Sequence, residues 1–324
     1  MSTPAPRPAT PSRPAVTPRR HRATRLRAVL ALALVAALTL GLAACGGKLT
    51  AITGTKSPQS EERIGQRLSF GASTETTDSL VFLGDTQDFG PNGVGFGSLL
   101  TSVTPRDLVL IAGDLVNDQQ EQKQWQAFAA QFPPNVSLSK QVAVVPGNHT
   151  PDPPAANLFA KHSPSVITMA HTEILLLDSN LLGSLDGAQI KQNQHFFEQA
   201  LALRGNRSLI LVMHHPIFVL TNNPKNVVRA STMMKNYGRY FKQATLILCG
   251  HEHLYARYTD PATGIIQVMG NASYKGYPPR NPKRPGLNSL YTGGLVVTRI
   301  SVSSKTLELT TFDGQGKQID SFTR

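Results

Sequence analysis

The sequence predicts an α/β fold, and three features carry that prediction. From Ser79 onward, apolar runs of strand length alternate with loops and helix-length segments, the rhythm of an α/β chain. Five of those runs end alike, in a glycine or proline turn followed at once by polar side chains able to bind a metal. Asp186–Leu203 has amphipathic helical spacing, with Ile190, Phe197 and Leu201 on its apolar face. Shared polar ends on several strands point to one site beyond the carboxyl ends, where open α/β sheets place their ligands.

The N-terminus explains most of the chain's formal charge of +12. Seven arginines and no acid precede Ala28, and Ala28–Ala44 is apolar or small, which together make a secretory signal. The junction Leu42-Ala43-Ala44-Cys45 resembles a bacterial lipobox, which implies cleavage before Cys45, diacylation of that cysteine and an extracytoplasmic lipid anchor. Two acyl chains hold stably where one is marginal. An uncleaved transmembrane helix is the alternative, and 17 residues is the short limit for one. With residues 1–44 removed, 25 Lys and Arg face 20 Asp and Glu. That balance and the lack of a recognisable motif disfavour a nucleic-acid partner. Cys249 is the only other cysteine, so a lipidated Cys45 leaves no intramolecular disulfide.

Gly46 to about Asp78 is polar and lacks apolar periodicity, so residues 45–78 read as a tether, with Arg67–Phe70 as a candidate edge strand. Residues 79–324 read as one domain. Its first strands are Val81–Gln87, Leu108–Asn117 and Val142–His149, with a short helix at Phe96–Val103 and a polar helix around Trp125 and Phe128. Two further strands, Ser165–Met169 and Thr172–Asp178, precede the amphipathic helix, with Asp178 as a structural cap. Leu209–Pro216, a helix around Thr232–Lys242 and the strand Ala244–Cys249 follow. Short β segments at Gly264–Met269, Gly294–Ser301, Thr306–Phe312 and Gln318–Phe322 complete the chain.

In Leu246–Tyr255, Gly250 ends an apolar strand and is followed by His251 and His253. In extended backbone residues i and i+2 face the same side, and paired imidazoles suit Zn, Fe, Mn or Co. Taken singly, Asp85 and Asp114 after glycine could be turn formers or caps, and Asn148 a turn residue.

In order, Gly84-Asp85-x-Gln87, Gly113-Asp114-x-x-Asn117, Gly147-Asn148-His149, His214-His215-Pro216 and Gly250-His251-x-His253 resemble the calcineurin-like metallophosphoesterases. Gly250 to Arg257 is also similar to the purple acid phosphatase branch. The resemblance implies a two-sheet β-sandwich flanked by helices, a four-layer α/β/β/α fold, and a phosphoesterase with two transition-metal ions (Fe, Mn or Zn). Asp85, Gln87, Asp114 and His253 would hold the first, and Asp114, Asn148, His214 and His251 the second. In such sites the ions lie about 3.5–4 Å apart, with a bridging hydroxide as nucleophile. His149 would protonate the leaving oxygen, His215 would support the ligands from behind, and Asn117, Tyr255 and Arg257 are candidates for supporting the ligands or touching substrate, with packing and an ion pair the equal alternative for Tyr255 and Arg257. Phosphomonoesters are the expected substrates, with phosphodiesters second.

Three departures from the family pattern matter. Gln87 replaces a histidine, a neutral oxygen donor in place of imidazole. Asn117 stands where the purple enzymes have tyrosine. Thr150 follows His149 in place of a carboxylate, so Asp152 or a backbone carbonyl must orient that ring. Gln87 and Thr150 leave open a different class of function, a catalytically weak surface lipoprotein serving as a binding or scaffold module.

Overall fold

Strands that are apolar on both faces need cover on both faces, and the fold supplies it. The computed structural model describes residues 66–89, 94–151, 161–162, 164–221 and 223–324. The signal segment, Cys45, most of the tether and Asp152 lie outside those residues. In chain order the elements are β1 (Gln66–Ser69), β2 (Asp78–Leu83), a 3-10 turn (Phe96–Leu100), β3 (Asp107–Ile111), α1 (Gln122–Ala130) and α2 (Leu138–Gln141). Then come β4 (Val142–Val144), β5 (Lys161–His162), β6 (Ser165–Thr168), β7 (Thr172–Leu176), α3 (Ser179–Leu182) and α4 (Gly187–Ala202). β8 (Ser208–Val212), α5 (Pro224–Phe241), β9 (Leu246–Cys249), β10 (Tyr255–Thr259) and β11 (Ile266–Met269) follow. The last strands are β12 (Leu287–Tyr291), β13 (Val297–Val302), β14 (Leu307–Phe312) and β15 (Gln318–Thr323).

Eight strands form one sheet in the order β1-β6-β7-β8-β9-β11-β10-β12, and seven form the other in the order β15-β14-β13-β2-β3-β4-β5. β2, β3 and β4 are parallel, as are β7, β8 and β9. Alternation along each strand feeds separate cores. Leu80, Phe82, Leu108 and Leu110 meet Ile174, Leu176, Ile210 and Leu248 between the sheets. Val81, Leu83, Val109 and Ile111 point the other way, onto Phe96 and Phe128 of the 3-10 turn and α1. Leu175, Leu209, Leu211 and Ile247 pack outward against Phe197, Met233, Tyr237 and Phe241 of α4 and α5. Helix, sheet, sheet and helix therefore stack as the resemblance implies. Among the described residues, no helix is long and apolar enough to cross a membrane.

Several elements differ from the sequence reading. The candidate edge strand is present, as Gln66–Ser69 paired in parallel with β6, so ordered pairing begins inside the segment read as a tether. Arg67 fixes it through an ion pair with buried Glu173 and a 2.8 Å hydrogen bond to Thr168 Oγ1. α5 starts at Pro224, well before Thr232, because Asn223 caps it by accepting the Lys225 N–H and proline occupies the first turn. β10 and β12 were not foreseen.

Tyr255 and Arg257 take the packing and ion-pair alternative. Their polar atoms are taken up in a tie between the sheets. Arg257 Nε and Nη2 donate to the two oxygens of Asp320 on β15 at 2.7 and 3.0 Å. Tyr255 donates to the same carboxylate at 2.6 Å and accepts from Thr311 at 3.0 Å. With both charged side chains largely buried, at 11% and 7% exposure, removing one leaves the other without compensation. Asp320→Ala is therefore expected to cost roughly 3 kcal/mol, read as a lower midpoint in urea with an unchanged slope.

Candidate metal centre

Each candidate ligand sits where a strand has just ended. Asp85 and Gln87 follow β2, Asp114 follows β3, and Asn148 and His149 follow β4. His214 follows β8, and His251 and His253 follow β9. The first group belongs to one sheet and the second to the other, so the site spans the mouth between the sheets. The backbone there is bent into a region that non-glycine residues seldom adopt. Asp85, Asp114, His251 and His253 have φ of 35°, 45°, 76° and 48°, and such strain persists only where surrounding structure enforces it. Glycine precedes these turns because the chains nearly touch. A Cβ on Gly147 would lie 2.1 Å from Asp114 Oδ1, and one on Gly250 would lie 2.7 Å from Asp85 Oδ2.

The side chains converge on His214. Its Nε2 lies 3.0 Å from Asn148 Oδ1, 3.1 Å from His251 Nδ1 and 3.2 Å from Asp114 Oδ2. Its Nδ1 donates to the Ala112 carbonyl at 2.8 Å, which turns Nε2 toward the cluster. His251 is held in the same manner, Nε2 donating to Asn226 Oδ1 at 2.9 Å so that Nδ1 faces His214. Asp85 accepts the His251 N–H on both oxygens at 2.9 and 2.7 Å. The carboxylates of Asp85 and Asp114 reach the His214 ring within a 4.8 Å group. His253 Nε2 is 3.9 Å from Asp85 Oδ1 and 3.2 Å from Gln87 Nε2. All seven candidates thus meet at one place.

His149 and its neighbours answer the question left by Thr150. His149 is exposed, and its Nδ1 lies 3.0 Å from the Asn117 carbonyl, so a backbone oxygen orients the ring. Its backbone N–H donates to Asp114 Oδ1 at 2.8 Å. Thr150 is buried, and its hydroxyl accepts the Leu115 N–H at 3.3 Å. Asn117 uses its amide to tie the Gln87 carbonyl and Asp88 Oδ1 at 3.1 and 3.0 Å. His215 stands behind the cluster, its Nδ1 hydrogen-bonded to Ser179 Oγ at 2.8 Å and 3.3 Å from Arg229 Nη1. Asn226, Ser273 (3.3 Å from His253 Nδ1) and Asp88 (3.8 Å from the same nitrogen) were missed in the sequence. Each is a single polar residue in a loop or helix start with no spacing pattern to mark it.

The electrostatics show a place that draws positive charge. Burial would lower the pKa of His214, but the charge and hydrogen bond of Asp114 and the charge of Asp85 outweigh it and raise the value to about 9. Burial pushes Asp114 up, yet the His214 charge and hydrogen bond hold it down at about 2. Burial also keeps Asp85 well above the usual carboxylate range, against the pull of His214. His251 falls to about 3 through burial and the neighbouring His214 charge, and burial lowers His253 too. A proton on His214 Nε2 therefore occupies the point where three other donor atoms face inward.

A cation fits that point better than a proton does. Two imidazole nitrogens facing each other at 3.1 Å, with an amide oxygen and a carboxylate beside them, form a donor set suited to Zn, Fe, Mn or Co. On the adjoining side Gln87 Oε1 is buried with no hydrogen-bond partner among the described residues, a cost that coordination would remove. Asp85, Gln87, Asp114 and His253 could hold one ion there. Asp114, Asn148, His214 and His251 could hold a second.

The calcineurin-like phosphoesterase family model matches residues 79–255, more than half of the chain and all seven converging residues. The chain is 29% identical over 158 residues to the 3',5'-cyclic adenosine monophosphate phosphodiesterase CpdA of Haemophilus influenzae, covering 45% of this chain and 54% of that protein. It is 24% identical over 176 residues to a probable cyclic nucleotide phosphodiesterase of Coxiella burnetii, covering 50% and 66%. The chain thus spans about half to two thirds of these relatives. Among solved structures it is similar to GAP50, the anchor in the inner membrane complex of Plasmodium, with a TM-score of 0.55, 12% identity and coverage of 76% and 88%. PhoD gives a TM-score of 0.51 at 10% identity, covering 80% and 74%. At such identities the structural likeness is one of fold.

One prediction follows from the His214 proton. A metal ligand must be deprotonated, and in the metal-free protein His214 stays protonated below about pH 9. Adding Mn²⁺ or Zn²⁺ near pH 7 should release at least about one proton per chain, with apparent affinity falling roughly tenfold per unit of pH below 9. Calorimetry in buffers of different ionisation enthalpy measures this; binding with no proton release contradicts it.

Proposed function

The chain belongs to the calcineurin-like phosphoesterase family, and we propose that it hydrolyses phosphate esters at a dinuclear metal centre formed by the seven converging side chains. The observation that carries this reading is the meeting of Asn148 Oδ1, His251 Nδ1 and Asp114 Oδ2 on His214 Nε2 within 3.2 Å. Four donor atoms from four strand ends have no packing reason to face one point. Two divalent ions bound there would acidify a water molecule and neutralise charge developing on the phosphoryl oxygens.

The protein's own groups have distinct tasks. Asp114, grouped with both Asp85 and His214, is the carboxylate that would be shared between the two ligand sets. The Ala112 carbonyl and Asn226 fix which nitrogen of His214 and His251 faces inward. His149, exposed at the mouth and oriented by the Asn117 carbonyl, is placed to hold the proton that the leaving oxygen takes. A carbonyl orients that ring without adding a charge, and the missing carboxylate after His149 is compensated in position only.

For substrate class, the sequence favours phosphomonoesters, but relatives named as cyclic nucleotide phosphodiesterases support placing phosphodiesters first. The signal segment and the Cys45 lipobox support a lipid-anchored, extracytoplasmic enzyme, which would meet its ester outside the cytoplasm.

Asp114→Asn, which removes the bridging charge, should lower turnover of bis-p-nitrophenyl phosphate by at least about 10²-fold. His149→Ala should lower kcat by roughly 10²- to 10⁴-fold with metal content unchanged. A metal-loaded wild-type chain inert toward diesters and monoesters would instead favour the binding-module reading.

A further inference from the structure

The end of the sandwich that holds the centre also carries exposed apolar and basic side chains, one of which, Tyr277, packs its ring 5.1 Å from that of His253. Among the described residues, Leu181, Leu185, Val227, Val228, Tyr274 and Tyr277 are large apolar side chains at 41–83% exposure. Isolated exposed apolar residues mean little, whereas a contiguous group marks an interaction surface. Leu181 and Leu185 flank a turn that lies against the first turns of α5, which carry Val227 and Val228, and Tyr274 and Tyr277 lie on a loop hydrogen-bonded to Asp88 and His253 at the mouth. Tyr277 N–H donates to the His253 carbonyl at 2.9 Å, and Arg280 N–H donates to the Leu220 carbonyl at 2.8 Å, in the loop that leads into α5. A Cβ on Gly183 would meet Arg229 Cγ at 2.9 Å, so the turn bearing Leu181 and Leu185 lies against the first turns of α5. There Val227 and Val228 face solvent, while Asn226 between Lys225 and Val227 turns inward to His251.

The charges on this surface are mostly positive, with Asp186, exposed beside Leu185, as an exception. Lys225, Lys275, Arg280 and Lys283 are exposed. α5 contains no acid, and none occurs between Asp260 and Glu308. The carboxylates nearby are Asp178 and Asp186, which cap α3 and α4 and keep their charge, and Asp88, which lies 3.6 Å from Lys275 Nζ and offsets part of that cation.

Topology gives a second, independent observation. β1 is parallel to β6, which is antiparallel to β7, and β7 and β8 are parallel. Following the register, Gln66 pairs with Ser165, Ser165 with Leu176, and Leu176 with Val212, two residues before His214. The first described residue therefore lies at the mouth end of its sheet.

We propose that this surface is a membrane-docking face, seated in the headgroup region of an anionic phospholipid bilayer with the mouth of the centre held beside the lipid surface. Apolar side chains interleaved with cations are what such an interface selects. A soluble polyanion would engage the lysines but gain nothing from Val227, Val228 and Leu185. Docking does not depend on the metal centre, so it stands or falls separately from the hydrolytic reading.

The test uses the full chain reconstituted in vesicles with brominated acyl chains. In a Trp125→Phe background, which removes the only tryptophan, Val228→Trp is compared with Leu203→Trp, an exposed position at the far end of α4. In phosphatidylglycerol vesicles, emission from position 228 should be quenched and emission from position 203 should not. In phosphatidylcholine vesicles the quenching at 228 should largely disappear. Lys275→Gln and Lys283→Gln should each shift the ratio of docked to undocked protein about fivefold. Hydrogen exchange on the unsubstituted chain supplies a readout free of mutation, with protection by anionic vesicles expected at residues 224–230 and 274–284. Equal quenching at 228 and 203, equal quenching in both lipids, or unchanged exchange in those segments overturns the proposal.

Discussion

The structure depends on how closely two sheets approach at one end. Gly84, just past β2, and Gly270, just past β11, pass so near each other that a Cβ on Gly84 would lie 2.3 Å from the Gly270 carbonyl oxygen. The Ala272 N–H bonds across this gap to the Gly84 carbonyl at 2.6 Å. Because the backbones touch there, strand ends from opposite sheets can place side chains on a common point. Bulkier residues would hold the sheets apart, and Asp85 could not then receive the His251 N–H. The left-handed backbone at Asp85, Asp114, His251 and His253 is the local consequence of the same convergence.

Packing alone gives no reason for that arrangement. Two carboxylates, three imidazoles and two amides gather where most are hidden from water, and burial of such groups is costly unless charge is balanced. The raised His214 and lowered Asp114 describe a cluster that recruits one positive charge in the form of a proton. Divalent ions would neutralise the carboxylates more fully and coordinate the Gln87 oxygen. Supporting contacts from Ala112, Asn226, Ser179 and Ser273 fix the rings in advance, which lowers the ordering cost of binding.

Much of this was legible in the sequence, for a physical reason. Strands covered on both faces must be continuously apolar, so the central strands stand out as runs, and their abrupt polar ends mark the site. The elements that were not legible have mixed composition. β10 sets the charged, largely buried Arg257 among buried Tyr255, Ala256 and Tyr258, and the partner that explains Arg257, Asp320, is 63 residues away. The start of α5 was hidden because Lys225, Val227 and Val228 face solvent, and its apolar periodicity begins only at Ala230 and Met233. Asn223 and Pro224 were the available signals for that start. Asn226 and Ser273 carry no motif, since a residue that orients a ligand is defined by contact across the fold and not by spacing.

The central claim is that these strand ends form a cradle for two cations bridged by Asp114. Its most direct test is diffraction from crystals of the metal-loaded chain at wavelengths on both sides of the absorption edges of Mn, Fe and Zn. Two anomalous peaks are expected, one among Asp85, Gln87 and His253 and one among Asn148, His214 and His251, with Asp114 between them. A centre without peaks under saturating metal, or an ion bound elsewhere while His214 keeps its proton, would contradict the account.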